Sequence, residues 1–349
     1  MEPEGELGIM AKNPSDCVHR AAKNARLLFL LRKSFRYLLA FIAVVMLSFF
    51  IPRFMPGDPA VNLLGGDYAY ISSEAMQNMR IELGLDKPLH LQFLLYLINL
   101  LQGDWGRSFH YAQPIFPIIC YRLQWTLVLM VPSIVLGSVL GMVMGSLAGW
   151  RKGGQFDVAA SALLLLLYST PGYWLAMLFA LIVGFYLGLL PFYGMTSSDS
   201  IGLERALDIS RHMILPVLVL TIYKAAHNFL IARSSIIQVS GEGYILTARA
   251  KGLGEMAILF RHVLKNAMLP LVTVVAMDVG FMLSGTLLVE IVFSWNGMGT
   301  LIYNSVATRD YPMLNGCLII ISICVIASNL LADFFYYLLD PRIRGGELA

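Results

Sequence analysis

Glu242-Gly-Tyr-Ile-Leu-Thr-Ala-Arg-Ala-Lys-Gly-Leu-Gly254, running on through Phe260-Arg-His262 to Leu269-Pro270, is a polar stretch set between two long apolar ones. It carries Arg249, Lys251, Arg261 and Lys265. Its pattern predicts a short amphipathic helix, broken near Gly252 and Gly254 where glycine lets the chain turn sharply. A cationic helix placed between two membrane segments has two uses. It docks a partner, or it lies on the bilayer against anionic lipid.

Working outward, the composition fixes the solvent. Hydrophobic residues make up 58% of the 349-residue chain and charged residues 13%, whereas a soluble domain is roughly half apolar and a quarter charged. That much apolar surface cannot be hidden from water, so the chain is expected to be an integral membrane protein. A net charge of +3 is too small to point to nucleic acid. Cys17, Cys120, Cys317 and Cys324 are widely spaced with no CxxC pair, which argues against a disulfide framework or a zinc site.

Residues 1–34 read as a polar cytoplasmic tail, with the basic cluster Arg32, Lys33 and Arg36 at its junction with the first span; Met1 and Met10 are both candidate starts. The first span is expected at 35–53. No small-residue cleavage site follows its apolar run, so it reads as uncleaved. Residues 54–121 are net acidic and hold no spanning run, which predicts a small extracytoplasmic segment. Within it, Ser72-Ser73-Glu74 reads as a helix start. Leu89 to Leu101 is apolar but too short to cross, and reads as a helix lying on the membrane surface.

The core, 122–339, contains five further apolar segments: Leu123 to Gly149, Val158 to Leu190 with a bend at Pro171-Gly172, Met213 to Ile231, Ala267 to Phe293, and Met313 to Leu339. Gly137, Gly141 and Gly145 recur every four residues, a stripe that allows close helix approach. Ser294 to Gly299 reads as a glycine-rich external turn. Basic residues at the N-terminus, at Arg151 and Lys152, around 233–265 and in the 340–349 tail fall on one side of the membrane. By the positive-inside rule both termini are cytoplasmic.

Phosphate-loop, HExxH, GxSxG and strand-linked GxGxxG motifs do not occur. ATP-driven work would therefore need nucleotide bound on another chain. Charged residues inside spans are costly and default to functional candidates. Lys224 and His227 share a face of the fourth span, and Asp278 lies mid-way along the fifth with Glu290 near its outer end. Asp278 is expected to face the bundle interior, either pairing with Lys224 or lining a solute path; a purely structural ion pair is the alternative. Asp333 sits toward the inner end of the sixth span. Methionines are scattered without clusters, so no metal path is indicated.

Tyr244 to Pro270 resembles the cytoplasmic coupling segment of ATP-binding-cassette importer permeases, specifically the dipeptide/oligopeptide/nickel branch. Thr247-Ala248 ahead of Gly252 matches the heart of the motif, with Leu246 in place of its usual glutamate. Pro56-Gly-Asp-Pro59, Leu83-Gly-Leu-Asp86, Gly103-Asp104 with Gly106-Arg107-Ser108, Val289-Glu290 with Gly297-Met-Gly299, Arg309-Asp-Tyr-Pro312 and Leu339 to Arg344 follow the same branch in order. The resemblance implies an all-α polytopic fold of six transmembrane helices with a cytoplasmic coupling helix around 243–262. It implies that Tyr244, Thr247, Ala248, Arg249, Ala250, Lys251, Gly252 and Leu253 couple to an ATPase. Small side chains at Ala248 and Ala250 would permit close packing there.

The resemblance further implies a second homologous permease, two ATPase subunits that hold ATP and magnesium, and an extracytoplasmic solute-binding protein, all at a bacterial or archaeal cytoplasmic membrane. No cofactor is expected on this chain. The solute would be a di- or oligopeptide, with nickel or another small solute as the alternative. Glu290 matches the branch, which implies a hydrogen-bonding role at the outer gate. The branch more often has an uncharged polar residue at Asp278, so this acid bears on selectivity. A secondary transporter would show repeats around a midplane ion site; Asp278 and Lys224 are the only encouragement for that. A membrane enzyme would need a nucleophile and base that Ser161, Ser169 and His227 do not make.

Overall fold

The structure, a computed structural model, describes residues 34–50, 53–54, 73–82, 84–197 and 201–339. The N-terminal tail, the Pro56 to Pro59 motif and the 340–349 tail lie outside these residues. Among the described residues the chain is helical, and the one β-type pairing is an isolated bridge between Arg107 and Pro114.

The helix α1 (Ser34–Phe50) is apolar and short. Phe49 at its end meets Phe93 and Tyr96 of α3 (Leu89–Leu101) at ring centroid distances of 5.1 and 5.4 Å. Between them, α2 (Ser73–Glu82) begins at the expected serine. No residue of α3 is fully buried, as a helix lying along a surface requires.

The centre of the molecule is the pairing of α4 (Ile115–Trp150) with α7 (Leu203–Ser240). A side chain at Gly137 would put its Cβ 2.6 Å from Lys224 Cβ, and one at Gly145 would sit 2.6 Å from the Phe229 carbonyl oxygen. The expected stripe is real, and it runs one turn further than expected. Gly149 lies 2.8 Å from the Arg233 carbonyl by the same measure. At 38 residues, α7 is about 57 Å long at 1.5 Å per residue. That exceeds the roughly 30 Å hydrocarbon layer, so it projects well past the span expected from Met213 to Ile231.

The third span is bent far more than its sequence suggests. α5 (Gln155–Ser169) and α6 (Gly172–Phe179, widening into a looser turn over Ala180–Tyr186) meet at 100°. Pro171 lacks an N–H and forces Thr170 into extended backbone (φ −85, ψ 131). The carbonyl of Leu166, freed by the break, accepts from the hydroxyls of Ser169 and Thr170 at 2.9 and 2.8 Å.

The predicted amphipathic helix is α8 (Gly243–Ala250). It ends where Gly252 takes φ +75, and α9 (Glu255–Ile258) opens through Leu259–Val263 into α10 (Leu264–Gly285). The element expected around 243–262 is thus two helices joined by a glycine turn. The fifth span also differs from expectation. It stops at Gly285, and Thr286 separates α10 from the short α11 (Leu287–Val292). The external turn holds a further helix, α12 (Met298–Ala307), before α13 (Tyr311–Leu339). Among the described residues α4, α7 and α13 are each long and apolar enough to cross a membrane, and the α5–α6 pair adds a fourth crossing if counted as one broken span.

Candidate functional site

Three regions gather the candidate residues. In the first, α8 is anchored from beneath. Ile245 and Ala248 join Ile236, Ile258, Leu259, Val263 and Ala267 in a buried cluster that Trp150 edges. Ala248 is packed within the chain's own bundle, where a small side chain fits. Tyr244, Thr247, Arg249, Ala250, Lys251, Gly252 and Leu253 stand on the exposed side. Tyr244 Oη accepts from Asn266 Nδ2 at 2.8 Å. Arg249 lies over the Trp150 ring at 5.5 Å and reaches Glu255 at 3.2 Å. Around them Leu246, Met256 and Phe260 are 59, 61 and 64% exposed.

In the second region, Lys224 Nζ donates to Asp278 Oδ1 at 2.6 Å, tying α7 to α10, with side chains 13 and 9% exposed. The expected pairing exists. Among the described residues Asp278 Oδ2 is buried without a hydrogen-bond partner, and so are Asn228 Oδ1 and Thr221 Oγ1 one turn to either side of Lys224. His227 stacks on Tyr168 of α5 at 5.6 Å, and Tyr168 stacks on Tyr223 at 5.9 Å. Asp333 lies where side chains are outside the described set.

The third region is outer. Glu290 is wholly buried and accepts from Thr126 Oγ1 and the Gly299 N–H, both at 2.7 Å. Thr126 in turn accepts from the Met298 N–H at 2.8 Å. The carboxylate thus seats on the N-terminus of α12, where the peptide dipoles favour negative charge. It does so only because Gly297 and Gly299 lack side chains: a Cβ at Gly297 would lie 2.5 Å from Glu290 Cδ, and one at Gly299 2.9 Å from Oε2. Glu290 is thus tied by hydrogen bonds to α4 and to the start of α12. Trp295 Nε1 adds a bond to the Trp125 carbonyl at 3.0 Å.

Two buried carboxylates were not singled out by sequence. Asp310 accepts from Ser108 Oγ and from the N–H groups of Phe109 and His110, the latter two at 3.1 Å. It joins the Gly103 to Ser108 motif to the Arg309 to Pro312 motif. Asp157 accepts from Arg233 Nε and Nη2 at 2.5 and 2.9 Å. Asp310 lies inside the Arg309 to Pro312 motif and Asp157 shortly after Arg151 and Lys152, but nothing in the sequence names the partner of either.

Residues 137–345 match the family described as the binding-protein-dependent transport system inner membrane component, and residues 26–130 match that family's N-terminal region. The chain belongs to this family. As an inner membrane component it is 36% identical, over 90% of its length and 98% of the other chain, to the dipeptide transport system permease protein DppB of Escherichia coli (strain K12). Its fold is similar to that of the MetNI methionine ABC transporter in inward-facing conformations, with a TM-score of 0.50 at 19% identity over 64% of this chain and 97% of that one. An amino acid ABC transporter crystallised with histidines gives the same score at 18% identity, over 64% and 94%. The family covers the coupling stretch, the intramembrane pair and the Glu290 network alike.

Proposed function

We propose that this inner membrane component is the permease subunit of an ATP-driven importer and forms the path for di- or oligopeptides delivered by a solute-binding protein. The observation that carries the reading is the coupling stretch. It is anchored by Ile245 and Ala248 and offers an exposed apolar rim of Tyr244, Leu246, Leu253, Met256 and Phe260. A segment pinned on one face, with apolar side chains and the cations Arg249 and Lys251 exposed on the other, suits a groove on a partner. The likeness to a dipeptide permease across nearly its whole length supports the peptide assignment.

In this reading the chain crosses the membrane six times with both termini in the cytoplasm, beside a second homologous permease. Two ATPase subunits hold ATP and magnesium, and their closure moves α8. Lys224, His227 and Asp278 border the solute path, while Glu290 stabilises its outer end. Affinity purification in mild detergent with mass spectrometry of companions tests the assignment. Recovery of ATPase subunits and a second permease, with ATP hydrolysis stimulated by peptide-loaded binding protein, is the expected result. An intact chain that comes out without any nucleotide-binding companion would sink it.

A further inference from the structure

The Asp157–Arg233 contact belongs to none of the three regions. Asp157 lies in the first turn of α5, is buried, and accepts four hydrogen bonds. Two come from the Arg233 guanidinium at 2.5 and 2.9 Å, one from the Gly153 N–H at 2.9 Å and one from Ser161 Oγ at 3.3 Å. Gly153 takes φ +82 to bring its N–H round. Arg233 stands where α7 passes close to α4: a Cβ at Gly149 would lie 2.8 Å from the Arg233 carbonyl oxygen.

Three residues along α7, Ile236 enters the cytoplasmic cluster with Ile245 and Ala248 of α8, Val263 and Ala267. Trp150, the last residue of α4, borders the same cluster and carries Arg249 over its ring. The coupling helix, the ends of α4 and α7 and the start of α10 thus form one body. α5 contributes nothing to that cluster. Its apolar residues Ala160 and Leu164 pack higher up, with Ala148, Ala226 and Phe229. Beyond the 100° break, Leu175 and Ala176 of α6 pack with Val289, Phe293 and Trp295 in the segment that Glu290 fixes.

We propose that the Asp157–Arg233 pair is the joint through which displacement of the coupling helix reaches α5 and, across the bend, the outer end of the path. The proposal rests on the importer reading above. Apolar faces slide over one another, whereas a two-pronged guanidinium–carboxylate contact fixes both distance and direction. Asp157 and Arg233 act as positioning residues: they touch neither solute nor nucleotide.

The test uses the whole assembly, with its co-purifying ATPases, second permease and binding protein, in proteoliposomes. Labelled dialanine taken up and ATP hydrolysed are measured together. Asp157→Asn is expected to leave hydrolysis within about twofold of wild type while uptake per ATP falls about tenfold, the range of a typical coupling free energy. Arg233→Lys keeps the charge but loses the fork, so it is expected to show a smaller fall. The exchange Asp157→Arg with Arg233→Asp is expected to recover most of the ratio. Unchanged uptake per ATP in Asp157→Asn would overturn the joint, and so would hydrolysis and uptake falling in step. If Asp157→Asn does not assemble, Arg233→Lys is judged by the same ratio. The response of the wild-type assembly to binding protein tests the importer reading separately, since the joint is read only from variant against wild type.

Discussion

At the residue scale, the buried acids differ in what neutralises them. Glu290 is met by a hydroxyl and the N–H of Gly299. Glu290→Gln turns one acceptor toward these donors as an NH2 group, and the lost bond should cost about 1–3 kcal/mol. Thermal unfolding in detergent would show it, and an unchanged midpoint would contradict the capping role. Asp278 is met by Lys224. Asp278→Asn leaves a buried ammonium unpaired, at a cost of about 3–5 kcal/mol. The double change Lys224→Met with Asp278→Met should recover most of it. Equal loss in single and double variants would show that packing, not charge, is at stake. Lys224 and Asp278 were legible because a charge in a span is conspicuous by itself. Asp157 and Asp310 were not, since their partners lie 76 and about 200 positions away, a separation only the folded chain closes.

At the element scale, the glycine face of α4 and the exposed rim of α8 make separate predictions. Gly141→Leu drives a side chain into the Ala225 carbonyl, whose oxygen lies 2.7 Å from where the new Cβ would stand. Overpacking of this kind costs about 1–3 kcal/mol, and size-exclusion profiles should broaden relative to wild type. Leu246→Asp should instead leave the chain folded and monodisperse while ATPase subunits are lost from the purified assembly. Their retention would place the docking face elsewhere. Glycine spacing and a cationic break between apolar runs could be read directly, because both are periodic or compositional. The 100° bend could not: Pro171 marks a boundary, but the angle is set by how Leu175 and Ala176 pack against Val289, Phe293 and Trp295. The stop at Gly285 and the helix α12 were hidden for a related reason. Leu287 to Phe293 is as apolar as the span before it, and only the docking of Glu290 onto α12 breaks the run.

At the scale of the whole molecule, nucleotide chemistry should be divided from transport. Photolabelling of the purified assembly with an ATP analogue is expected to mark companion subunits and leave this chain unlabelled; label on this chain would overturn that division. The glycine-lined pairing of α4 with α7 also sets an order of events during synthesis. Their contacts join positions such as Ser133 and Val217, 84 residues apart along the chain. At roughly 5–20 residues per second of translation, α4 must wait roughly 4–17 s for its partner to emerge. Until then its bare backbone stripe faces lipid or the insertion machinery, and whatever shields it in those seconds governs the yield of folded protein.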